Sequence, residues 1–137
     1  VSADVYSVPS FAELRRDAID CDRWNMLHPA EESRRPYVQT LLADADGPFI
    51  AATDYMRLVP DQVRQWVPGR YVTLGTDGFG RSDARAALRQ HFEVDRRYIV
   101  VATLHALAAD GLLPPAKVEA AIVKLGIDPA KPNPLTV

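Results

Sequence analysis

The apolar and polar positions of this chain change period along its length, from short strand-like runs to helical spacing. Residues 3–8 contain Val5, Tyr6 and Val8 in an alternating context, which predicts a first strand. A short apolar run at 48–53 predicts a second, buried strand, and residues 71–74 predict a third. Because helical patterns separate these runs, the sequence predicts strands that alternate with helices.

The N-terminal half carries the first two helix signals. Ser10 followed by Glu13 is a capping-box pattern, and it predicts a helix over residues 11–19. The polar stretch 20–36 is predicted to be irregular. A proline at a first helical position then predicts a short helix over residues 36–42.

Further boundaries follow from caps and glycines. Asp54 is predicted to cap an irregular helix, and Asp95 to cap a long helix that ends at Gly111. A last helix is predicted from Pro114 or Pro115 to Leu125, with Gly126 just past its end. The proline-rich tail, 128–137, is predicted to be extended.

Alternating strands and helices predict an α/β fold with a mostly parallel sheet flanked by helices. The length of 137 residues predicts a single domain over 1–137. Three strands are few, because sheets usually have about four to six. We therefore expect the missing strand or strands to precede Val1, and the chain to be a piece of a longer polypeptide.

Composition excludes several classes of function. The chain has 16 basic and 18 acidic residues and a net charge of −2, with no basic stripe that would indicate nucleic-acid binding. No apolar run approaches the roughly 18 residues needed to span a bilayer. The lone Cys21 cannot form an internal disulfide, which favours a reducing, cytoplasmic compartment.

The most distinctive segment is a glycine-rich loop between the third predicted strand and a helical pattern from Ala84. It contains Thr76, Asp77, Gly78, Phe79, Gly80, Arg81, Ser82 and Asp83. Ser82 or Asp83 is expected to cap the following helix. Glycine-flanked amides at a helix start could cradle an anion, but the two aspartates would repel one, and no Gly-Lys-Ser/Thr or Gly-x-Gly-x-x-Gly pattern is present. Ligand binding and a structural or interface role both stay open.

Other candidate residues form no self-contained catalytic set. The histidines, His28, His91 and His105, lack the spacing of a helical metal site, and Cys21 has no identifiable base. Trp24 and Met26 lie in a segment otherwise rich in charge, a combination typical of subunit contacts. We assign no catalytic, cofactor-binding or metal-binding residue within the chain.

Several ordered blocks resemble a known family. They are Asp4-Val5-Tyr6-Ser7-Val8, Cys21 to Pro29, Ala52 to Met56, Leu74 to Asp83, His91 to Asp95, and Lys131-Pro132-Asn133-Pro134. Together they resemble the C-terminal region of the homodimeric bacterial pyruvate dehydrogenases, the thiamine-diphosphate-dependent decarboxylating components of the pyruvate dehydrogenase complex. The blocks extend over essentially the whole chain.

The resemblance implies a transketolase C-terminal-domain-like fold in an enzyme that decarboxylates pyruvate and transfers the acetyl unit to lipoyl groups. It also implies that the first strand and helix of this domain precede Val1. Thiamine diphosphate and magnesium would be bound outside this segment, because the family's Gly-Asp-Gly motif is missing here. Implied partners are the other domains of the enzyme, a second subunit of a homodimer, and the dihydrolipoyl acetyltransferase core, with no nucleic acid and no membrane. The expected interface or structural residues are Trp24, Met26, His28, Thr76, Asp77, Gly78, Phe79, Gly80, Arg81 and Asp83.

Two alternatives stay open beside this interpretation. One is a non-catalytic binding or interaction module. The other is the equivalent domain of another thiamine-diphosphate enzyme, such as a transketolase.

Overall fold

A computed structural model describes residues 2–137 of the chain. Its elements, in chain order, are helix α1 (Phe11–Leu27), helix α2 (Tyr37–Leu41), strand β1 (Phe49–Ala52), helix α3 (Leu58–Asp61), a 3-10 turn (Arg64–Trp66), strand β2 (Tyr71–Leu74), helix α4 (Arg85–His91), helix α5 (Arg96–Ala109) and helix α6 (Pro115–Lys124).

The first helix starts as predicted but is longer. The Ser10 hydroxyl oxygen accepts a hydrogen bond from the Glu13 amide at 3.2 Å, which confirms the N-cap. The Glu13 carboxylate instead pairs with Arg16 on the next turn. The prediction of an irregular segment from residue 20 was wrong up to Leu27, because no glycine or proline interrupts residues 11–27 and Cys21 is buried.

The sheet consists of β1 and β2, paired in parallel with Phe49 opposite Tyr71 and Ala52 opposite Leu74. Parallel neighbours require a crossover connection, and the segment with α3 and the 3-10 turn supplies it. The strands predicted at 48–53 and 71–74 are confirmed. The strand predicted at residues 3–8 was wrong: this segment forms no strand, and Val5 is 93% exposed. Alternation favours an extended backbone, but a strand also needs a neighbour to bond with, and no described residue provides one.

The main core lies between α1, α2 and the crossover segment. Its buried members are Ala18, Val38, Leu42, Val63, Trp66 and Val67, with Phe11, Leu14, Phe49 and Tyr71 packed around them. The Trp66 indole donates a 2.9 Å hydrogen bond to Asp22 on α1, which fixes the helix against the crossover. Helix α5 packs against both strands and against α6, so helices flank the sheet.

Predictions for the C-terminal half were mixed. Asp95 caps α5, accepting from the amides of Arg97 at 2.8 Å and Tyr98 at 3.3 Å, and α6 begins after Pro114 as expected. The tail is not extended as predicted, because it turns at 129–130 and 134–135 and packs on the domain, with Pro134 buried.

Two predicted caps were wrong. Asp54 caps no helix, because α3 begins only at Leu58 and has no side-chain cap. Neither Ser82 nor Asp83 is the N-cap of α4: that position is Ala84, whose amide donates to Asp83 at 2.7 Å. The loop before α4 is longer than the sequence pattern indicated.

Candidate functional site at the carboxyl edge of the sheet

The loops that follow β1 and β2 meet at one edge of the sheet, where α/β proteins commonly place functional groups. The Thr76 amide donates to the Tyr55 carbonyl at 2.9 Å, and the Thr76 hydroxyl donates to the Asp54 carbonyl at 3.1 Å. Since parallel strands end at the same edge, the two loops extend the pairing beyond the strands.

Asp77 is used to anchor one loop to the other. One carboxylate oxygen accepts from the Arg57 amide at 2.9 Å, and the other lies 3.2 Å from Arg57 Nε. This carboxylate therefore serves a contact within the protein. Over residues 2–137, no three His, Cys, Asp or Glu side chains are grouped so that they could hold a metal ion.

The glycines of the loop have different roles. A Cβ at Gly78 would lie 2.4 Å from the Pro134 carbonyl oxygen, and its φ of +109° strongly favours glycine. A Cβ at Gly75 would lie 2.6 Å from the Arg57 amide nitrogen. At Gly80 a Cβ would meet nothing within 4 Å among the described atoms. The sequence pattern suggested equal roles for Gly78 and Gly80 and did not single out Gly75.

The far side of the loop is open to solvent. Phe79 is 76% exposed, and Asp83 contacts only the neighbouring backbone given above. Arg81 Nη1 lies 2.9 Å from His91 Nδ1. Burial, and then the positive charges of Arg81 and Lys131, lower the pKa of His91, which keeps its ring neutral and able to accept from Arg81. His91 therefore acts here as a contact between the loop and α4.

The geometry does not fit an anion cradle or a diphosphate site. Helix α4 has seven residues and starts at Arg85, five positions after Gly80, so the loop amides do not continue into a helix start. Asp77 is already paired with Arg57. These residues do not fit thiamine diphosphate or its metal, and no chemical step is assigned to them.

A second predicted cluster surrounds Trp24 at the end of α1. The Trp24 and His28 rings stack with centroids 4.4 Å apart and an interplanar angle of 11°, and the Arg34 guanidinium lies 4.1 Å from the Trp24 centroid. Asn25 exchanges two hydrogen bonds with the Arg34 backbone, at 2.8 and 2.9 Å. Met26 is 72% exposed beside this stack.

The structure keeps the two predicted clusters separate. Among residues 2–137, no hydrogen bond, ion pair or ring contact joins Trp24–His28 to the loop 76–83. Sequence reasoning missed Arg34, and it did not single out Asn25 within the segment Trp24–His28. Both residues are visible in the sequence near Trp24. Their pairing was not predictable, because it requires the chain to reverse direction after α1.

Sequence reasoning also missed a groove beside the carboxyl edge, with a volume of about 1130 Å³. The Asp54 carboxylate accepts two hydrogen bonds from the Arg89 guanidinium, from Nε at 3.1 Å and from Nη2 at 2.8 Å. The same carboxylate lies 3.6 Å from Arg85 Nη2. The bonds from Arg89 hold the pKa of the Asp54 carboxyl below its usual value. The spacing of Arg85 and Arg89, one helical turn apart, was visible in the sequence, but their common partner was not.

A family model for the transketolase-like C-terminal domain matches residues 1–95. The chain belongs to the transketolase-like C-terminal domain family. The family assignment agrees with the parallel strands flanked by helices, and it confirms the fold class inferred from the sequence.

Curated relatives of this transketolase-like domain are named pyruvate dehydrogenase E1 component. The chain is 56% identical over 136 residues to the one from Pseudomonas aeruginosa and 56% identical over 135 residues to the one from Escherichia coli, in each case over 98% of this chain. It is 51% identical over 137 residues to the one from Cupriavidus necator. The matches lie in the C-terminal part of these proteins and confirm the resemblance carried by the ordered blocks.

The chain spans about 15% of the length of each of these three relatives. Over the described part of the chain, no helix is both long enough and apolar enough to cross a membrane.

Proposed function

We propose that this chain acts as the C-terminal assembly domain of a pyruvate dehydrogenase E1 component, an enzyme that oxidatively decarboxylates pyruvate and passes the acetyl unit to lipoyl groups. Identity of 56% that extends over 98% of the chain carries this proposal. In the intact enzyme, thiamine diphosphate and magnesium would be bound by other domains. The cofactor would supply the electron sink for the carbanion left by decarboxylation.

The placement of ionisable groups supports a role without catalysis. Asp77 is paired with Arg57, and Asp54 with Arg89. His91 accepts from Arg81 beside the loop. A general base or nucleophile needs a free, oriented partner group, and the residues at the carboxyl edge are engaged in holding the loops together.

The accessible surface supports association with further polypeptide. It measures 9490 Å², whereas a compact monomer of 15.2 kDa is expected to expose about 7100 Å². The excess of roughly 2400 Å² is comparable to the surface buried in an obligate interface. Large apolar side chains contribute to it at both predicted clusters, including Met26 and Phe79.

Those two clusters are therefore the proposed contact surfaces. Trp24, Met26 and His28 would form one, and the loop from Thr76 to Asp83 the other. The partners would be the remaining domains of the same enzyme and the second subunit of a homodimer. The acetyltransferase core would be a partner of the assembled enzyme.

A domain exchange tests the proposal. The C-terminal segment of the Escherichia coli relative that aligns with this chain would be replaced by residues 1–137. We expect the chimera to retain pyruvate-dependent reduction of an artificial electron acceptor, because the two segments are 56% identical over 135 residues. Activity would be measured with added thiamine diphosphate and magnesium, alongside the parent enzyme.

The same relative without its C-terminal segment is the control, and we expect it to lose both activity and its native oligomeric size. A chimera that folds, assembles and lacks pyruvate activity would contradict the assignment to pyruvate dehydrogenase. Full activity of the shortened control would instead contradict an assembly role for the domain.

A further inference from the structure

The groove beside the carboxyl edge carries a strong local charge. It is about 1130 Å³ in volume, and its charged lining consists of Arg85, Arg89, Arg96 and Arg97 against Asp54 and Asp95. Four arginines against two aspartates leave two positive charges in excess. This excess is local, because the whole chain has a net charge of −2.

The arginines are held in place before any partner arrives. Arg89 is fixed by its two bonds to Asp54, at 3.1 and 2.8 Å. Arg97 is fixed by two bonds to Asp95, at 2.9 and 2.7 Å. A guanidinium has five N–H donors, so each of these two keeps donors available after its aspartate is satisfied. Binding would therefore cost little side-chain entropy at these positions.

The other two arginines supply the unsatisfied charge. Arg85 has a side chain that is 77% exposed and lies 3.6 Å from an aspartate already engaged with Arg89. Arg96, at the start of α5, makes no ion pair with any other described residue and is exposed. The exposed ring of Tyr55 lies at the same groove. Arginine and tyrosine are the side chains enriched at protein contact surfaces.

We propose that this groove binds an acidic segment of a partner polypeptide, whose carboxylates pair with Arg85 and Arg96 while Arg89 and Arg97 donate from fixed positions. The arginines are spread over helix α4 (Arg85 and Arg89) and the start of helix α5 (Arg96 and Arg97), so a segment with several carboxylates can pair with more of them than a single small anion can. Planar carboxylates also match the paired donors of a guanidinium. This site does not depend on the enzyme activity proposed above.

Fluorescence anisotropy with a defined probe tests the proposal. The probe is a labelled glutamate–serine peptide of about eight residues, spanning roughly 27 Å when extended. The 137-residue chain should bind this probe, and added salt should weaken the binding. It should not bind a control peptide in which every glutamate is replaced by glutamine. Replacing Arg85→Gln and Arg96→Gln together should weaken binding about five- to tenfold.

The matched control replaces Arg15→Gln and Arg23→Gln, two exposed arginines of α1 that change the net charge by the same amount. It should bind the probe as the unaltered chain does. Equal losses in the two double variants would show non-specific attraction and overturn the proposal. Circular dichroism checks folding, and Arg96→Gln alone, which breaks no ion pair between described residues, replaces the double variant if that one unfolds.

Two further results would also overturn the proposal. Displacement of the probe by an equal concentration of inorganic phosphate would indicate a small-anion site. Concentration-dependent self-association that Arg85→Gln with Arg96→Gln abolishes would identify a second copy of the chain as the occupant. Tight, phosphate-resistant binding to a monomeric chain supports the acidic peptide.

Discussion

Substituting Gly78 by alanine should destabilise the domain for two separable reasons. The backbone at Gly78 has φ of +109°, where an L side chain is strained by about 1–3 kcal/mol. The new Cβ would also lie 2.4 Å from the Pro134 carbonyl oxygen. To restore ordinary contact, the tail at the buried Pro134 would have to retreat by about 1 Å, which loosens its packing on the loop.

Together these effects should lower the free energy of unfolding by about 2–4 kcal/mol. Equilibrium unfolding in urea measures it, with fluorescence of the buried Trp66 as the signal. For a urea slope of about 2 kcal/mol/M, the midpoint should fall by about 1–2 M. The matched control is Gly80→Ala, where the added Cβ meets nothing within 4 Å and φ is not positive.

Gly80→Ala should be neutral, or stabilising by up to about 1 kcal/mol, because alanine restricts the unfolded chain. Ending the chain at Asn133 removes the clash and leaves the backbone strain. The penalty of Gly78→Ala should therefore be smaller in that shortened background. Equal effects of Gly78→Ala and Gly80→Ala in the full chain would refute the reasoning.

Two further predictions concern a helix cap and a buried phenol. Ser10→Ala should lower the free energy of unfolding by about 1 kcal/mol, because the Glu13 amide loses its acceptor at 3.2 Å; urea unfolding measures it. Burial raises the pKa of Tyr71 from 10.0 to about 12, so the folded state favours the neutral phenol. The stability that Tyr71 contributes should therefore be lost as the pH rises from 10 to about 12. Tyr71→Phe should flatten this alkaline loss and cost about 0.5–1.5 kcal/mol at neutral pH, where the 2.9 Å bond to the Pro60 carbonyl is missing.

Each of these changes has a control in the chain. Ser33→Ala removes a hydroxyl that makes no hydrogen bond with other described residues, and Tyr6→Phe removes a half-exposed phenol of the same kind. A stability change in Ser33→Ala as large as that in Ser10→Ala would argue against the cap. Unfolding curves of Tyr71→Phe and the unaltered chain that decline in parallel from pH 10 to about 12 would show that Tyr71 does not cause the loss.

Elements with local signals were predictable from the sequence. Ser10 and Asp95 cap their helices because each cap is a contact between residues close in sequence. The strands β1 and β2 were predicted from short apolar runs. Helix α6 was predicted from the proline at its start and from Gly126, which lies just past its end. The family was recognisable because its blocks keep their order and spacing, which requires no knowledge of contacts.

Elements that depend on distant partners were not predictable. Residues 3–8 have a strand pattern but no neighbouring strand among the described residues, and α1 continues past Ile19 because its buried face packs against the crossover segment. The tail folds back because Lys131 donates to the His91 carbonyl at 2.7 Å and pairs with Glu93 at 2.9 Å, contacts that a proline-rich composition does not reveal.

The same distinction between local signals and distant contacts applies to the candidate site. The sequence by itself determined the family, the caps at Ser10 and Asp95 and the presence of a distinctive glycine loop, because these are properties of order and local spacing. Only the tertiary structure decided that Gly78 needs to be glycine while Gly80 does not, and that Asp54 holds two arginines at the edge of a groove. The reason is physical, because each of these contacts joins residues more than 30 positions apart in the sequence. Gly78 lies against the Pro134 carbonyl, and the Asp54 carboxylate pairs with Arg85 and Arg89. Residues so far apart in the sequence come into contact only when the chain folds.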